Sequence, residues 1–418
     1  PKWLQSIRLQ SREAFNDCPI PKRGLHLWRY TDPALFMATY PPVSNTVLGK
    51  EVKTTEQVLQ NQVNNGDLSG LVTDLGDSEI NIHQSSDLIS NGVIVTKLSD
   101  AVRNHREQVE PYLYRLINSD TGKFEALNGA LWNDGIFIYV PEGKVVEKPL
   151  HILREAGDDG SVRNERLLIV LGKDAELTVI DEYIGGASID NEHHGYTNSA
   201  VEVFGLEGSR GRYVSLHKQA SVMNSYLTFR ARIDRNATML TIPLDFGGAT
   251  IKHNYGVILD GENAESNMYG LVFGSDRQHF DNHTLHHHTK DHTRSNIDFK
   301  VVLQDKSVSA YTGLIRIENN ATGCEAYQEN RNLLLNRGVK AETIPELEIL
   351  NEDVQCSHGA TTGPIDPLSI FYLQARGIEQ HEAVQMITSG FVASTIKQLP
   401  SDLQERINSF VAQRLEHL

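Results

Sequence analysis

The chain contains 418 residues, of which 39% are hydrophobic and 22% are charged, and its formal net charge is −15. This composition is typical of a globular protein, and the length exceeds the roughly 250–300 residues that one core usually serves, so two or three structural units are expected. The acidic balance argues against nucleic acid or an anionic membrane as the main partner, and no apolar run approaches the roughly 18 residues of a membrane helix.

Cysteine usage indicates a reducing compartment. Cys18, Cys324 and Cys356 are far apart and form no CxxC pair, so neither a disulfide framework nor a zinc ribbon is expected. Three thiolates also cannot supply all the ligands of an iron–sulfur cluster that needs four. Residues 1–28 lack the apolar segment of a signal peptide. We therefore expect a cytoplasmic protein, or one of the plastid stroma if the source is a plant or an alga.

Residues 1–130 are predicted to form a mixed, mainly helical N-terminal domain. Polar stretches rich in Asn and Asp, such as residues 61–77, separate helix-like segments such as residues 98–117. Asn, Asp and Gly clusters of this kind mark loops between periodic segments.

Residues 131–352 are predicted to form a core of β-strands. Residues 227–233 and 297–303 show the pattern most clearly, because apolar side chains occupy every second position in both. These apolar residues are Leu227, Phe229, Ala231 and Ile233 in the first run, and Ile297, Phe299, Val301 and Leu303 in the second. A period of two is typical of strands with one buried face.

The strands end in a recurring turn. Residues 171–175, 233–237 and 317–321 share an aliphatic residue, two variable positions, Asp or Asn, and then Ala, and residues 259–264 carry the same turn with one residue more. Asn and Asp tolerate a left-handed backbone, and Ala fits where coils stack closely. With no helical pattern of useful length between residues 135 and 350, the sequence predicts a mostly β fold, either a stacked-coil solenoid or a large sandwich.

Residues 353–418 are predicted to form a C-terminal helical domain. Asp366 can cap a helix that starts at Pro367, Gly377 is placed to end it, and Ser401 with Gln404 resembles a capping box. Two apolar stripes follow, Val384, Ile387, Phe391, Val392, Ile396 and Leu399 in the first, and Leu403, Ile407, Phe410, Val411 and Leu415 in the second. We expect the first stripe to pack inward through Val384, Ile387 and Phe391, and the region of Phe410 and Val411 to bind a partner.

A histidine-rich run suggests a metal site but does not establish one. It contains His279, His283, His286, His287, His288 and His292. In a strand His286 and His288 would share a face, whereas in a helix His283 and His287 would. The nearby acids have no fixed spacing to these residues, and zinc ligands usually lie on well-defined elements, so polar surface and turn structure is the favoured interpretation. The motifs of phosphate loops, dinucleotide-binding units and nucleophile elbows are missing.

Residues 352–363, EDVQCSHGATTG, carry the strongest candidate chemistry. Cys356 and His358 are two residues apart, so in an extended segment both side chains point to one side. A thiolate and an imidazole placed in this way can ligate one soft or borderline metal or pass on a sulfur species. A buried cysteine beside a capping histidine at a domain junction remains an equal alternative.

Three segments resemble the SufB/SufD family of iron–sulfur cluster assembly proteins. They are residues 347–378, which resemble the family's C-terminal signature, the preceding residues 326–349, and residues 26–36, HLWRYTDPALF. Weaker similarity covers residues 135–325. The resemblance implies a right-handed parallel β-helix flanked by N-terminal and C-terminal helical domains. It also implies a scaffold subunit rather than a free-standing enzyme.

The resemblance further implies partners. SufB and SufD pair through their β-helices, each C-terminal helical domain binds one copy of the ATPase SufC, and a nascent cluster forms near the SufB–SufD interface. The SufB form has a cysteine where this chain has Asn330 and a glutamate where it has Gly359, so this chain is most similar to SufD. His358 is then the residue implied in cluster assembly, with Cys356 as its neighbour.

The isolated chain is expected to form a homodimer and to hold no stable cofactor, because iron or a nascent cluster would be shared with the partner. Two alternatives are a SufB-like homodimeric scaffold that works with SufC, and a non-enzymatic solenoid that stores metal in its histidine run.

Overall fold

The computed structural model describes residues 1–37, 50–75, 80–132, 134–155, 162–185 and 195–416. The protein is mostly β, with a parallel β-solenoid of about seven turns and helical regions toward both ends of the chain. The predicted stacked-coil core with flanking helices is therefore confirmed, and the sandwich alternative is wrong.

The N-terminal region mixes helices with short strands. Its helices are α1 (Lys2–Asp17), α2 (Lys50–Asn65), α3 (Ser86–Ser90), α4 (Leu98–Asn104), α5 (Arg106–Val109) and α6 (Lys123–Leu131), and its strands are β1 (Gly70–Asp74), β2 (Asn81–Gln84) and β3 (Ile94–Lys97). Two short 3-10 helices cover His26–Trp28 and Pro33–Phe36.

In the described part of the chain, sixteen further strands build the solenoid. They are β4 (Gly135–Val140), β5 (Leu150–Glu155), β6 (Val162–Leu171), β7 (Glu176–Gly185), β8 (Tyr196–Gly205), β9 (Arg210–Gln219), β10 (Asn224–Ile233), β11 (Thr238–Asp245), β12 (Thr250–Leu259), β13 (Glu265–Gly274), β14 (His279–His288), β15 (Arg294–Leu303), β16 (Val308–Ile317), β17 (Cys324–Leu334), β18 (Lys340–Ile349) and β19 (Val354–Pro364). The odd-numbered strands from β5 extend a ten-stranded sheet that includes β1 and β2, and the even-numbered strands form a nine-stranded sheet with β3. Because the chain alternates between the two sheets, each pair of consecutive strands adds one coil. The sheets also recruit β1 to β3, which lie within the region predicted to be mainly helical.

The interior of the solenoid is the main core. Both alternating runs are confirmed, since the eight apolar residues named above for β10 and β15 face the interior and are buried, whereas Val302 of β15 packs on the outer face. Burying one such side chain contributes about 1.5–3 kcal/mol, and parallel pairing without register shifts stacks the same positions of successive coils.

The predicted turns are also confirmed, with one exception. Asp174, Asn236 and Asn263 have φ angles of +54°, +56° and +60°, the left-handed conformation that Asp and Asn tolerate. The alanine that follows each of them is buried. In the turn after β16, the positive φ lies at Gly323, beyond the predicted window of residues 317–321.

Three C-terminal helices, α7 (Pro367–Gln374), α8 (Gln380–Ile396) and α9 (Ser401–Leu415), follow the solenoid. Asp366 caps α7 by accepting hydrogen bonds from the backbone N–H groups of Leu368 and Ser369, as predicted. Gly377, with φ of +85°, lies between α7 and α8. The predicted Ser401 cap is wrong, because Ser401 is already helical and its hydroxyl donates to Asp402. Among the described residues, no helix has both the length and the apolar character needed to cross a membrane.

Helices α8 and α9 pack across the outer face of the odd-numbered sheet. Val392, Ile396, Leu403, Ile407 and Val411 join one buried cluster with the outward-facing apolar residues of β9, β11 and β13. Two arginines of α9 add polar contacts, as Arg406 pairs with the buried Glu182 at 2.5 Å and Arg414 donates to the Phe246 carbonyl oxygen at 2.9 Å. The predicted division at residue 352 falls one strand too early, because β19 continues the solenoid to Pro364.

Candidate functional site

The last coil of the solenoid has an open edge. β18 and β19 each pair with a single neighbour, β16 and β17 respectively. Within the described part of the chain, no further strand covers the other edge of either one. An unpaired strand edge presents backbone N–H and C=O groups that can pair with another chain.

The register of β19 places Cys356 and His358 on the lumen side of this open coil. Cys356 is opposite Ala326 and His358 is opposite Gln328, and both partners on β17 are buried in the interior. Because residues in register on parallel strands point the same way, Cys356 and His358 also point toward the lumen. Cys356 is half-buried and His358 is exposed, since no strand among the described residues covers this end. The two residues therefore share a side, as the sequence predicts, but they lie in a strand and not at a helical junction.

Cys356 packs against the end of the apolar core. Its neighbours include the buried Ile317, Cys324 and Ala326 and the half-buried Val354. Burial raises the pKa of the Cys356 thiol, and the nearby Cys324 raises it further. The thiol is therefore protonated at neutral pH and becomes a strong ligand only when a metal ion displaces its proton.

The His358 side chain is less constrained by its neighbours than the Cys356 side chain. It is exposed, and no described residue forms a hydrogen bond or an ion pair with its ring. An imidazole without a fixed partner can present either ring nitrogen to a metal ion. With Cys356 it supplies two ligands of different softness, which is half of a tetrahedral set.

Polar groups surround this ligand pair. On β17, Gln328 donates through Nε2 to the Gly313 carbonyl oxygen at 3.2 Å, and Asn332 donates through Nδ2 to the Thr362 hydroxyl at 3.1 Å. The side-chain oxygens of Gln328, Asn332 and Thr343 are buried without a hydrogen-bond partner among the described residues. The mouth of the solenoid is therefore polar along β17 and β19, and Thr343 adds a polar group on β18.

The two positions where the SufB form is expected to differ lie on opposite faces. Asn330 is buried in the lumen, where its Nδ2 donates to the Phe299 carbonyl oxygen at 2.9 Å. Gly359 alternates with His358 and faces outward, and a Cβ built there would meet no atom within 4 Å. A cysteine at position 330 would share the lumen side with His358, whereas a side chain at position 359 would not.

The aromatic segment near the N-terminus anchors to the outer face of the even-numbered sheet. Trp28 stacks on Tyr226 with ring centroids 5.8 Å apart, and the Lys252 ammonium lies 5.5 Å from the Trp28 ring. Thr31 donates to Asp281 at 2.5 Å, and Asp281 pairs with Lys252 at 3.1 Å. The segment that resembles the SufB/SufD family near the N-terminus is thus a packing element.

The charges beneath this segment are strongly shifted. Burial lowers the pKa of Lys252 to about 8, although the Asp281 carboxylate raises it. Burial alone would raise the pKa of Asp281, but Lys252 and His283 together hold it well below its usual value. Lys252 and Asp281 are a structural ion pair and lie away from the open end.

The predicted partner-binding position on α9 is corrected by the packing. Val411 is 2% exposed within the cluster that α9 forms with the sheet. Phe410 is half-buried, with its ring centroid 4.9 Å from that of Phe246. Val411 therefore cannot bind a partner while α9 stays docked, because the outer sheet face is itself apolar and covers the stripe.

Exposed apolar side chains occur instead on the preceding helix. Leu368, Phe371 and Tyr372 on α7 are 74%, 67% and 56% exposed. Arg376 lies 3.5 Å from the Tyr372 ring centroid. We call the three apolar residues Leu368, Phe371 and Tyr372 the α7 patch. The inward packing predicted for Val384, Ile387 and Phe391 is confirmed, as all three are half-buried against the sheet.

Comparison with known proteins accounts for most of the chain. The family described as SufBD protein N-terminal region matches residues 1–152, and the family described as SUF system FeS cluster assembly, SufBD core domain, matches residues 153–391. The chain belongs to the SufBD family. The predicted resemblance is confirmed, and the open coil is the end of a SufBD core.

Curated relatives match along their length. The iron–sulfur cluster assembly protein SufB of Bacillus subtilis is 25% identical over 421 residues, which cover 100% of this chain and 90% of the relative. SufD of the same organism is 28% identical over 410 residues, covering 96% and 91%. A SufBD family protein of Staphylococcus saprophyticus is 24% identical over 424 residues, covering 100% and 90%. Because SufB and SufD match at similar identity, these comparisons support the family without assigning the branch.

Five of the six histidines of the run in this SufBD protein lie in β14, so the interpretation as turn and surface is wrong for them, whereas His292 lies exposed in the following turn with a φ of +58°. His286 and His288 share the lumen face, as a strand requires, and approach the hydroxyls of Ser266 at 3.1 Å and Ser295 at 2.9 Å. The outward-facing His287 contacts a carboxylate instead, that of Glu318 at 2.7 Å. Among the described residues, no three members of the run come together as a metal site.

A different cluster was missed in the sequence. His217, Asp245 and His253 face the lumen, and one ligand atom from each lies within 4.8 Å of the others. Burial, and secondarily His253, hold the pKa of His217 well below its usual value. The available signal was the spacing, since His217 and Asp245 are 28 residues apart, which is one coil of the solenoid.

Proposed function

We propose that this SufBD protein is a SufD-type scaffold subunit that helps to acquire iron and to form iron–sulfur clusters at its open end. Its partners are a SufB-type subunit, which pairs with the last coil, and a SufC-type ATPase, which binds near α7. The observation that carries the proposal is the position of Cys356 and His358 on the lumen side of an uncovered coil.

The open edge supports pairing with another solenoid. Within the described structure, β18 and β19 each have one edge without a strand partner, and these edges are ten and eleven residues long. On β18, Leu347 and Ile349 are in register with the buried Ile315 and Ile317. These positions lie over the core but are half-exposed or exposed. A second solenoid would cover this apolar end and satisfy the edge by strand addition.

The ligand set supports a site shared between two chains. Cys356 and His358 supply two ligands, whereas a cluster of two or four irons needs four. The partner would contribute the remainder, and the cluster is cargo that must leave. Few ligands suit that task, because a full set of four would hold the cluster permanently.

The SufD assignment is supported by Asn330. The resemblance places a cysteine there in the SufB form, and here the amide of Asn330 is buried and bonded to the Phe299 carbonyl oxygen. An amide cannot accept a sulfur atom in a covalent bond as a thiolate does. Sulfur acceptance then belongs to the partner, and iron binding through His358 belongs to this chain.

The ATPase is proposed to come from a separate chain. The sequence contains no phosphate-loop motif, and the α7 patch offers exposed apolar area beside the solenoid. Nucleotide-driven movement of a subunit docked on α7 would act on the C-terminal helices and, through them, on the last coils.

A homodimeric scaffold is the second candidate, favoured by the match to SufB over the full length of this chain. Pairing of two copies through their last coils would bring two cysteines and two histidines to one interface. That arrangement would supply four ligands without another protein.

Co-expression separates the two candidates. A tag on this chain alone should recover SufB-type and SufC-type subunits in stable amounts, and the complex should accumulate iron and sulfide under anaerobic reconstitution. The isolated chain should form dimers yet stay colourless. A stoichiometric cluster on the isolated chain, with no recovery of a SufB-type subunit, would establish the homodimer and overturn the SufD assignment.

A further inference from the structure

We propose that His217, Asp245 and His253 form a buried site for one first-row divalent metal ion, zinc or iron(II), inside the closed lumen. This site is independent of the proposed function, because it lies several coils away from Cys356 and His358. The ion would be resident and structural, in contrast to the cargo at the open end.

Strand pairing brings the three residues together. His217 on β9 and Asp245 on β11 are in direct register, so one coil stacks the carboxylate on the imidazole. His253 follows on β12, across the corner that contains Gly247 and Gly248. A Cβ at Gly247 would lie 2.3 Å from the Gln219 carbonyl oxygen, and Gly248 has a φ of +85°. Only glycine fits such a corner without strain, and this corner turns His253 back toward Asp245.

The buried carboxylate of Asp245 is the main reason to expect a bound cation. It is 0% exposed, and neither of its carboxylate oxygens has a hydrogen-bond partner among the described residues. An isolated buried carboxylate is strongly unfavourable unless it is paired or binds a metal. Lys218 and Lys252 alternate with His217 and His253 along their strands, and they pair with Glu51 and Asp281 instead. Among the described residues, His253 is the only one that forms an ion pair with Asp245, with its Nδ1 at 3.1 Å from Asp245 Oδ1.

The outer nitrogens of the two imidazoles are already held. His217 Nε2 lies 2.9 Å from the Ser215 hydroxyl, and His253 Nε2 lies 3.0 Å from the Ser225 hydroxyl. If Nε2 carries the proton in each ring, Nδ1 is left with a lone pair. His253 Nδ1 faces Asp245, and His217 Nδ1 is buried without a hydrogen-bond partner in the described structure. Metal-ligating histidines commonly donate their second ring N–H to a neighbouring group in this way.

The donor set defines the class of ion. Two imidazole nitrogens and one carboxylate oxygen suit zinc or iron(II), whereas calcium and magnesium prefer oxygen ligands alone. Bonds of about 2.1 Å place tetrahedral ligand atoms about 3.4 Å apart, so the present spacing of up to 4.8 Å needs only small movements to close. Gln219 lies on the same side of β9 as His217 and interacts with its ring, although neither its amide oxygen nor its amide nitrogen forms a well-aligned hydrogen bond among the described residues. Its carbonyl oxygen is the nearest candidate for a fourth ligand along this strand.

The lumen separates this site from the open end. Four strand steps lead from β11 to β19, or about 19 Å at the spacing of about 4.8 Å between strands. Val272 and Val301 are the next two residues in register with Asp245, and both are buried. An ion bound at Asp245 would therefore be trapped as the coils form and would exchange slowly with chelators.

Metal content tests the site directly. The full chain would be expressed in medium supplemented with zinc or with iron(II) under anaerobic conditions, dialysed against EDTA, and analysed by mass spectrometry of its metals. We expect about one retained ion per chain in the wild type. Asp245→Asn and His253→Gln should each retain at least tenfold less metal per chain than the wild type. His286→Gln is the matched control, because His286 is an equally buried lumen histidine outside the trio, and it should retain the ion.

A second measurement keeps the test decisive if a variant fails to fold. The wild type would be refolded from denaturant with cobalt(II) or with EDTA, and its visible d–d absorption and denaturation midpoint compared. Cobalt absorption together with a higher midpoint supports the site. Folded wild type that retains no metal and shows equal midpoints would overturn the proposal and identify Asp245 and His253 as a buried ion pair. Retention of metal by Asp245→Asn would overturn it as well.

Discussion

The closed middle of the solenoid and its open end obey the same alternation rule but present opposite surfaces. In β10 and β15 the lumen-facing residues are buried by coils on both sides. In β19 the equivalent positions include Cys356, which is half-buried, and His358, which is exposed, because no described strand pairs with the outer edge of β19. The same alternation thus produces a buried core in the middle and a partly exposed surface at the end.

The two regions also treat histidine differently. His286 and His288 are enclosed and bonded to hydroxyls, and burial lowers the pKa of His286 to about 3 and that of His288 to about 4. His358 points to the same lumen side of its own coil but remains in contact with solvent. Position along the solenoid decides whether an imidazole is a packing group or an available ligand.

The largest expected effect is on the closed lumen. Phe299 is fully buried, with its ring centroid 4.7 Å from that of Tyr311. Phe299→Ala should lower the free energy of unfolding by about 3–5 kcal/mol, because it removes apolar contacts and leaves a cavity. Urea denaturation of the purified chain measures this loss. A loss below about 1 kcal/mol would show that the lumen is loosely packed.

A charge at the open end should affect pairing and leave folding intact. Leu347 is partly exposed at the mouth, so Leu347→Glu should be tolerated by the free chain. Burial of the new carboxylate against a partner is expected to weaken pairing by about 2–3 kcal/mol, roughly a hundredfold. Size-exclusion chromatography with a SufB-type subunit measures it. Leu131→Glu, at an exposed leucine on α6, is the control. Equal weakening of pairing in both variants would show that the pairing surface does not lie on the last coil.

Acid should destabilise the closed lumen through its histidines. His286 is neutral in the folded chain with a pKa of about 3, whereas an unfolded histidine titrates near 6.5. The unfolded state therefore binds more protons below about pH 6.5, and stability should fall by about 1.4 kcal/mol per pH unit for this residue. Denaturation midpoints at several pH values between 7.5 and 5 measure the slope. His286→Gln should reduce it, and an unchanged slope would contradict this assignment.

The smallest effect concerns the α7 patch. Phe371→Ser removes an exposed ring, so stability should change by less than about 0.5 kcal/mol. Binding of a SufC-type ATPase should weaken about tenfold or more, since aromatic residues often dominate an interface. Leu9→Ser, at another exposed apolar residue, should bind normally in isothermal titration. Normal binding of the ATPase by Phe371→Ser would show that the ATPase binds a surface other than the α7 patch.

The packing of α9 also changes how a truncation should be interpreted. Removal of residues after Pro400 deletes four buried side chains of α9, Leu403, Ile407, Val411 and Leu415. The outer sheet face would then be exposed, and loss of ATPase binding would not by itself locate the binding surface. Substitution on α7 is the cleaner test because it leaves this packing in place.

Much of the fold was accessible from the sequence because its signals are local. Alternation predicted β10 and β15, and Asp174 and Asn236 marked turns that need a left-handed backbone. The end of the solenoid was placed too early because β19 lacks a buried face. Its residues are mostly exposed, so the alternation between burial and exposure that marks other strands is absent.

The candidate sites also differ in whether local sequence is enough to predict them. Cys356 and His358 are neighbours in sequence, and an extended backbone is enough to place them on one side. His217 and Asp245 meet only through coil stacking, which requires the register of β9 and β11. Whether Val411 is free to bind another protein depends on which surface α9 packs against. An amphipathic stripe shows that a helix has an apolar face, but it does not show which surface that face contacts.

The central claim is that the open end builds clusters through His358 together with a partner, and one comparison tests it most directly. His358→Ala and the control His83→Ala, at another exposed histidine, would be purified as complexes with SufB-type and SufC-type subunits and reconstituted anaerobically. We predict equal complex yields, stability within about 1 kcal/mol of the wild type, and iron and sulfide content that falls severalfold only in His358→Ala. Wild-type cluster content in His358→Ala, or parallel loss of complex and cluster, would contradict the account.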